Sequence, residues 1–118
     1  MIDISVIIVN YNTKEVTASC VDSVYEHTKD IDFEIILVDN ASTDGSKERF
    51  AKDTRVKYIY SNINGGFGYG NNLGMRHARG KYLFLLNSDT LLVNNALKLF
   101  YDYAESHDPN GVYGCYLK

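Results

Sequence analysis

Continuous apolar runs recur along the chain and predict β-strands. Residues 4–9, 33–38 and 82–86 are apolar at almost every position and rich in β-branched or aromatic side chains, as is typical of strands covered on both faces. Residues 56–60 alternate instead, which predicts a strand nearer a sheet edge. A last strand is predicted at residues 112–117.

Between the first two runs, the apolar residues follow a helical period. The predicted helix begins after Thr13 as its N-cap and continues to about Glu26. Four residues share its apolar face: Val16, Cys20, Val21 and Val24. A short second helix is predicted over residues 45–52, with Asp44 as its cap.

The second half of the chain continues the alternation. A glycine-rich loop over residues 64–70 is expected to lead into a third helix that ends near Arg79, where Gly80 stops it. A fourth helix carries four apolar residues on one face: Ala96, Leu99, Phe100 and Tyr103. Strands alternating with helices at this spacing predict an α/β fold, with a Rossmann-like, mainly parallel sheet and helices on both faces.

Composition and charge limit the classes of protein to which the chain can belong. The 118 residues are 45% apolar and 23% charged, which fits one ordinary globular domain. A net charge of −3 argues against a general cationic surface, so no nucleic-acid partner is expected. Cys20 and Cys115 lack metal-ligand spacing, and no leader precedes the first strand, so a cytoplasmic location is expected. No apolar run approaches the roughly 20 residues of a membrane-spanning helix.

Polar residues follow three of the predicted strands. They lie at residues 10–12, 39–45 and 87–90, and two of these segments place a carboxylate, Asp39 or Asp89, close behind an apolar strand. In an open parallel sheet the carboxyl ends of the strands share one edge, and ligands bind there, especially where the strand order reverses. Such residues also cap helices and form turns, but three loops converging on one edge favour a binding site.

Familiar phosphate-binding motifs are missing. The turn after the first strand has no glycine, which argues against a Rossmann dinucleotide site. Gly74 to Lys81 resembles a P-loop only superficially, because the glycine spacing is one residue too long and Tyr82 replaces the Ser or Thr that would bind metal. A diphosphate ligand would therefore be held through a divalent cation, for which Asp89 is the natural oxygen donor.

Four segments together resemble the inverting glycosyltransferases of family 2, which have the nucleotide-diphospho-sugar transferase (GT-A) fold. The resemblance covers almost the whole chain and is carried by residues 6–12, 36–45, 64–74 and 85–90. It implies a UDP- or dTDP-sugar donor, a saccharide or lipid-linked acceptor, and Mg²⁺ or Mn²⁺ as cofactor.

The resemblance also implies roles for individual residues. Asp39 would accept the imide N–H of a uracil or thymine base, and Tyr11 would offer a ring for stacking. The full set of implied donor-binding residues is Asn10, Tyr11, Asn12, Asp39, Asn40, Asn64, Gly66, Phe67, Asn72 and Ser88. Many family members carry Arg where this chain has Asn71, which leaves the choice between uridine and deoxythymidine open.

Asn87-Ser88-Asp89 stands where the family has its Asp-x-Asp motif, so the resemblance makes Asp89 the metal ligand. In the family the general base comes from the half beyond this motif. Residues 1–118 are therefore expected to form the donor-binding part of a GT-A domain, truncated before the acceptor-binding half, with the base beyond Lys118. The later acids, Asp102, Glu105 and Asp108, are expected to face away from the site. Apolar surface left uncovered is expected to allow self-association, and the full-length enzyme could dock on a membrane.

Three alternatives stay open. A sugar nucleotidyltransferase would carry a glycine-rich, basic loop after the first strand, where this chain has residues 10–13, Asn-Tyr-Asn-Thr. A phosphoreceiver module would need an acidic pair at that point. The third is a nucleotide-binding domain with no turnover of its own.

Overall fold

The structure, a computed structural model, describes residues 1–108. Strands and helices alternate along the chain: β1 Ile4–Asn10, α1 Lys14–His27, β2 Phe33–Asn40, α2 Ser46–Phe50, β3 Lys57–Ser61, α3 Gly66–Arg76, β4 Tyr82–Asn87 and α4 Ala96–Ser106. The predicted strand at residues 112–117 and Cys115 lie outside the described residues. Within residues 1–108, no helix combines the length and hydrophobicity needed to cross a bilayer.

The four described strands form one parallel sheet in the order β3-β2-β1-β4. The predicted α/β class is therefore confirmed. The chain builds outward from β1 to β2 and β3, then crosses to the other side of β1 to form β4. The strand order thus reverses between β1 and β4, and Val9 pairs with Val38 on one side and Asn87 on the other.

The larger part of the core lies on the face covered by α1, α2 and α4. Alternate residues of β1 and β2 point into it and pack against apolar side chains of the helices. The fully buried members include Val6, Ile8, Ile35, Leu37, Val21, Val24, Phe50 and Leu97. This face holds α1, and the N-terminus of α1 lies close to the carboxyl end of β1.

On the opposite face, α3 packs against β1 and β2 through two glycines. A Cβ on Gly74 would lie 2.6 Å from Ile7 Cγ2 and 3.1 Å from Val38 Cγ2, and one on Gly70 would lie 2.8 Å from Val9 Cγ1. The predicted loop over residues 64–70 is wrong, because α3 begins at Gly66. Close packing on the sheet compensates for the poor intrinsic helix propensity of these glycines.

The end of α3 also differs from expectation. The helix ends at Arg76, and the N–H groups of His77 and Ala78 bond to the carbonyls of Gly74 and Met75 in a tighter last turn. Gly80 serves a different purpose from the predicted helix stop. A Cβ there would lie 2.5 Å from the backbone nitrogen of Ser5, so the chain can pass the start of β1 only with glycine at this position.

Strand β4 is not covered on both faces by the described residues, contrary to the prediction. Tyr82, Phe84 and Leu86 face the larger core, whereas Leu83 and Leu85 are 47% and 50% exposed. The reason is geometric: α3 lies over β1 and β2, and no element within residues 1–108 covers this side of β4. The predictions that β1 and β2 are buried and that β3 is an edge strand are confirmed for the described part of the sheet.

Candidate functional site

The three polar segments that follow β1, β2 and β4 meet at the carboxyl edge of the sheet. Asn10 pairs with Asp39 in the strand register, and Asn87 lies beside Val9 on the other side of β1. Neighbouring strands are about 4.8 Å apart, so the ends of β2 and β4 are separated by roughly 10 Å. The reversal of strand order lies between β1 and β4, where open sheets of this type bind ligands.

Asn10 is buried and organises the loop after β1. Its Oδ1 accepts hydrogen bonds from the hydroxyls of Thr13 at 2.9 Å and Thr17 at 2.7 Å. Its Nδ2 donates to Ser42 Oγ at 3.1 Å and, over a longer 3.4 Å, to Asp39 Oδ1. The Thr13 hydroxyl therefore bonds to Asn10 and does not cap α1, although Thr13 occupies the predicted N-cap position.

Asp39 is completely buried, and both of its oxygens have partners. Tyr58 donates its hydroxyl to Oδ2 at 2.5 Å, and the Ser42 backbone N–H donates to Oδ1 at 3.1 Å. No basic side chain within residues 1–108 forms an ion pair with this carboxylate. Burial and the hydrogen bond to Asp39 raise the pKa of Tyr58 well above its ordinary value, so the phenol stays protonated as a donor.

The loop after β2 turns sharply to make these contacts. Ala41 has a φ of 61° and Asn12 a φ of 51°, both in the left-handed region. The turn brings Ser42 Oγ within 2.9 Å of the Asn12 N–H, and Asn12 Oδ1 accepts the Thr43 N–H at 2.7 Å. Asn12 therefore ties the two loops together, while the neighbouring Tyr11 side chain is 49% exposed.

Asp44 caps two helices at once. Its carboxylate accepts the Lys14 N–H of α1 at 3.0 Å and the Ser46 N–H of α2 at 3.0 Å, together with a short bond from the Ser46 hydroxyl. Burial opposes ionisation, but the hydrogen bonds from Ser46 and Lys14 prevail and lower the pKa of Asp44. Gly45 occupies the N-cap position of α2, so Asp44 acts on this helix from one residue earlier than a standard cap, through the N–H of Ser46. Its bond to α1 is not predicted from the sequence.

The N-terminus of α3 lies at the same edge. Asn40 Nδ2 donates to the Gly66 carbonyl at 3.0 Å, and Asn64 Oδ1 accepts the Gly66 N–H at 3.1 Å. Gly66 has a φ of 91° and open space around its Cα, and Phe67 is 55% exposed. Asn72 is exposed on α3 and makes no side-chain hydrogen bond within the described chain.

The loop after β4 is different in character. Asn87 to Thr90 form a turn closed by a 3.0 Å hydrogen bond from the Thr90 N–H to the Asn87 carbonyl. Asp89 is exposed in this turn, its carboxylate has no hydrogen-bond partner among residues 1–108, and Ser88 beside it is half-buried. Cys20 Sγ of α1 lies 3.7 Å from the Asn87 carbonyl oxygen, and burial, together with the charge of Asp89, raises the pKa of this thiol to about 12.

The donor set at this loop fits a hard cation shared with a ligand. Residues 1–108 contain no cluster of three or more His, Cys, Asp or Glu side chains that could hold a metal ion, so this part of the chain alone offers no closed metal cage. Mg²⁺ typically binds one or two carboxylates and completes its octahedron with water and substrate phosphate oxygens. A single exposed carboxylate with free oxygens, as at Asp89, suits that arrangement.

Other acids lie elsewhere. Asp102 pairs with Lys98 on α4, and Glu105 bonds at 2.6 Å to Lys81, immediately before β4 at the amino edge of the sheet. Residues missed by sequence reasoning are Thr17, Ser42 and Tyr58, which hold Asn10 and Asp39. The alternation of residues 56–60 predicts that Tyr58 is part of a strand, but its contact with Asp39 depends on the pairing of β3 with β2.

The family model for glycosyl transferase family 2 matches residues 5–118. The chain belongs to this family. The resemblance drawn from the strand-end motifs is thereby confirmed, and the parallel sheet agrees with the GT-A fold of its structural neighbours. The individual site residues stay predictions.

Named relatives share the same region. The chain is 32% identical over 117 residues to the glycosyltransferase GlyG of Streptococcus pneumoniae, covering 96% of this chain and 38% of GlyG. It is 29% identical over 119 residues to the poly(ribitol-phosphate) beta-N-acetylglucosaminyltransferase TarP of Staphylococcus aureus, covering 96% of this chain and 36% of TarP. The chain thus spans little more than a third of either relative.

Two similar solved structures are complexes with nucleotide-sugars. S. aureus TarS 1–349 in complex with UDP-GlcNAc is 25% identical with a TM-score of 0.77, over 90% of this chain and 32% of that one. The mannosyltransferase PcManGT from Pyrobaculum calidifontis, in complex with GDP-Man and Mn²⁺, is 26% identical with a TM-score of 0.73, over 90% of this chain and 32% of that one.

Proposed function

We propose that this family 2 domain binds a UDP- or dTDP-sugar with Mg²⁺ or Mn²⁺ at the carboxyl edge of the sheet, as the donor site of an inverting glycosyltransferase. The observation that carries the proposal is Asp89, an exposed carboxylate without a hydrogen-bond partner among residues 1–108, beside the point where the strand order reverses. The structural neighbours support it, since TarS is in complex with UDP-GlcNAc and PcManGT with GDP-Man and Mn²⁺.

In this proposal Asp89 holds the cation, and the donor diphosphate supplies further oxygen ligands. When bound, the cation neutralises the negative charge that grows on the diphosphate as the glycosidic bond breaks. The half-buried Ser88 lies beside Asp89 and is proposed to contact the donor. Asn87 replaces the first carboxylate of the family motif, so Asp89 is the main protein ligand.

The nucleoside is proposed to lie over the loop after β1. The Tyr11 ring is 49% exposed there and offers an aromatic face to a base. Asp39 accepts three hydrogen bonds, and a carboxylate offers about four acceptor positions, so one is left for an imide N–H. Because Asp39 is fully buried, the base reaches it only after a local displacement of the residues that cover it.

The remaining donor contacts are assigned to the edge on either side of Asp39. Asn10, Asn12 and Asn40 are proposed to shape the pocket through the hydrogen bonds that join its loops. Four residues of α3 and of the loop before it are proposed to contact the nucleotide: Asn64, Gly66, Phe67 and Asn72. An inverting transfer also needs a base that takes the proton from the acceptor hydroxyl, and residues 1–108 assign no group to that step.

Calorimetric titration tests the proposal. UDP, dTDP, GDP and ADP are titrated into the full chain with and without Mn²⁺, and UDP or dTDP should bind best, at least tenfold more tightly with Mn²⁺. Asp89→Ala should abolish the metal dependence. Asp102→Ala is the matched control, because Asp102 is an exposed carboxylate paired with Lys98 on α4.

Binding of ADP alone would exclude the proposed donor class, and equal metal dependence in Asp89→Ala would exclude this ligand. A preference for GDP would retain a glycosyl-donor site but reject the assignment of a UDP- or dTDP-sugar; since guanine also carries a ring N–H donor, it would not by itself reject the acceptor role given to Asp39. Asp39→Asn separates the base contact from the structural contacts: a direct contact predicts loss of the preference for UDP over ADP.

A further inference from the structure

The turn that carries Asp89 is fastened to one side of α1. At its start, the Asn87 carbonyl accepts the Thr90 N–H at 3.0 Å, and the Cys20 thiol lies 3.7 Å away as a weak donor. Just beyond the turn, the Leu92 backbone N–H donates to Ser23 Oγ at 3.0 Å. Cys20 and Ser23 are three residues apart, so they project from neighbouring positions on one face of the helix.

Ser23 makes the stronger of these two contacts, the one with the Leu92 N–H. Its side chain is buried, at 7% exposure, and its hydroxyl donates to the Cys20 carbonyl at 2.7 Å while accepting from Leu92. The hydroxyl hydrogen is thus committed to the helix, which orients a lone pair toward the Leu92 N–H. Leu92 is 8% exposed and packs in the larger core, so this backbone N–H has little access to water as an alternative partner.

A second connection lies further along the same segment. Asn95 Oδ1 accepts the Lys29 N–H at 3.2 Å, and Asn95 Nδ2 donates to the Lys29 carbonyl at 3.0 Å. The residues that follow α1 therefore hold the start of α4. Between the attachments at Asn87 and Leu92, Asp89 and Leu91 are exposed. Asp89 thus lies on a short exposed span fixed at both ends.

We propose that Ser23 is a positioning residue for metal binding, which sets the location of the Asp89 carboxylate by holding the Leu92 backbone against α1. The inference rests on the proposed function. Mg²⁺ and Mn²⁺ prefer oxygen ligands, and Mg²⁺ demands near-ideal octahedral geometry, so a lone protein carboxylate must be held in place if it is to share the cation with a diphosphate. Groups that orient a metal ligand indirectly commonly contribute about tenfold or more to metal affinity.

The test measures Mn²⁺ affinity directly. Mn²⁺ is titrated into the full chain at a fixed concentration of UDP, and free Mn²⁺ is followed by electron paramagnetic resonance. Ser23→Ala should raise the Kd for Mn²⁺ about tenfold and leave the affinity for UDP without metal unchanged. Ser23→Thr, which keeps the hydroxyl, should recover most of the wild-type Kd.

Val24→Ala is the matched control for a general loss of stability. Val24 is the next residue on α1, is fully buried, and has no polar group for the Asp89 segment. This variant should lower the Tm while leaving the Kd for Mn²⁺ within twofold of wild type. If Ser23→Ala also leaves the Kd within twofold, or if Val24→Ala raises it as much, the positioning role is wrong.

A second variant covers the case in which Ser23→Ala does not fold. Ser23→Cys keeps a side chain of similar volume but replaces the hydroxyl with sulfur, a weak acceptor, and should raise the Kd about threefold, so an unchanged Kd would then overturn the inference. Failure of the proposed function gives a different result. In that case the wild-type chain with UDP binds no Mn²⁺, or Asp89→Ala binds it as well as wild type.

Discussion

The two halves of the carboxyl edge use the same kind of residue in opposite ways. After β2, Asp39 is buried and accepts hydrogen bonds from Tyr58, Ser42 and Asn10. After β4, Asp89 is exposed and has no hydrogen-bond partner within residues 1–108. A carboxylate bonded to three protein donors is part of the framework, whereas one without partners is available to a cation. The position of an acid at the end of a strand therefore does not determine whether it serves the framework or a ligand.

The difference follows from the positions of the two strands. Strand β2 lies between β1 and β3, so both neighbours supply donors to Asp39: Asn10 from β1 and Tyr58 from β3. Strand β4 has one neighbour in the described sheet, and Asp89 lies two residues beyond its end in a turn. Within residues 1–108, the hydrogen bonds from α1 to this turn and to Leu92 just beyond it go to backbone groups, from Cys20 and Ser23.

Replacing each acid in turn is the strongest test of the difference between Asp39 and Asp89. Asp39→Ala should lower the free energy of unfolding by about 3 kcal/mol, because it leaves several buried donors without an acceptor. Asp89→Ala should change it by less than about 0.5 kcal/mol, since the side chain is exposed and has no partner in the described part of the chain. Urea unfolding followed by circular dichroism measures both. Equal losses of unfolding free energy in the two variants would show that Asp39 and Asp89 do not differ in this way.

A second pair of variants compares two glycines of α3, one packed against the sheet and one with open space around it. Gly74→Ala places a Cβ 2.6 Å from Ile7 Cγ2, whereas Gly68 has open space around it. Overpacking should cost Gly74→Ala about 2 kcal/mol, against a gain of about 1 kcal/mol in helix propensity. Gly68→Ala has only the gain. Thermal unfolding should therefore place Gly68→Ala above wild type and Gly74→Ala below it, and the reverse order would refute the close packing.

The smallest expected effect concerns Asp44, the cap that links the loops after β1 and β2. The pKa of Asp44 is lowered in the folded protein, so its ionised form stabilises the fold at pH values above the pKa of the unfolded state, near 4. This stabilisation is lost as the pH falls through the pKa of the folded state. The contribution should be about 1 kcal/mol, typical of a helix cap. Asp44→Asn should lack this acid-dependent component while retaining much of the geometry.

Comparison with Asp44→Asn is necessary because other carboxylates titrate in the same range. The Arg55 guanidinium lowers the pKa of Asp53, and Lys81 lowers that of Glu105. Both contributions are common to the two proteins and cancel in the difference between their stability curves. A difference that stays constant from pH 6 to pH 3 would contradict the cap described for Asp44.

The sequence located a secondary-structure element correctly where a single local pattern determined it. The continuous apolar runs located β1 and β2 because strands inside a parallel sheet are covered on both faces. The same rule failed for β4, where Leu83 and Leu85 are about half exposed, because coverage depends on where α3 lies. The glycine content of residues 64–70 likewise misplaces the start of α3, because it predicts a loop although Gly70 allows the helix to pack on the sheet.

The order of apolar and polar segments therefore determined the fold class and the edge where Asp39 and Asp89 lie, because these follow from periodicity and from the shared direction of parallel strands. The family followed from the resemblance of the strand-end motifs. Only the tertiary structure decided that Asp39 is enclosed and Asp89 is open. Hydrogen-bond partners such as Tyr58 and Ser23 come from elements distant in sequence. Their contacts depend on strand pairing and helix placement, which no local pattern encodes.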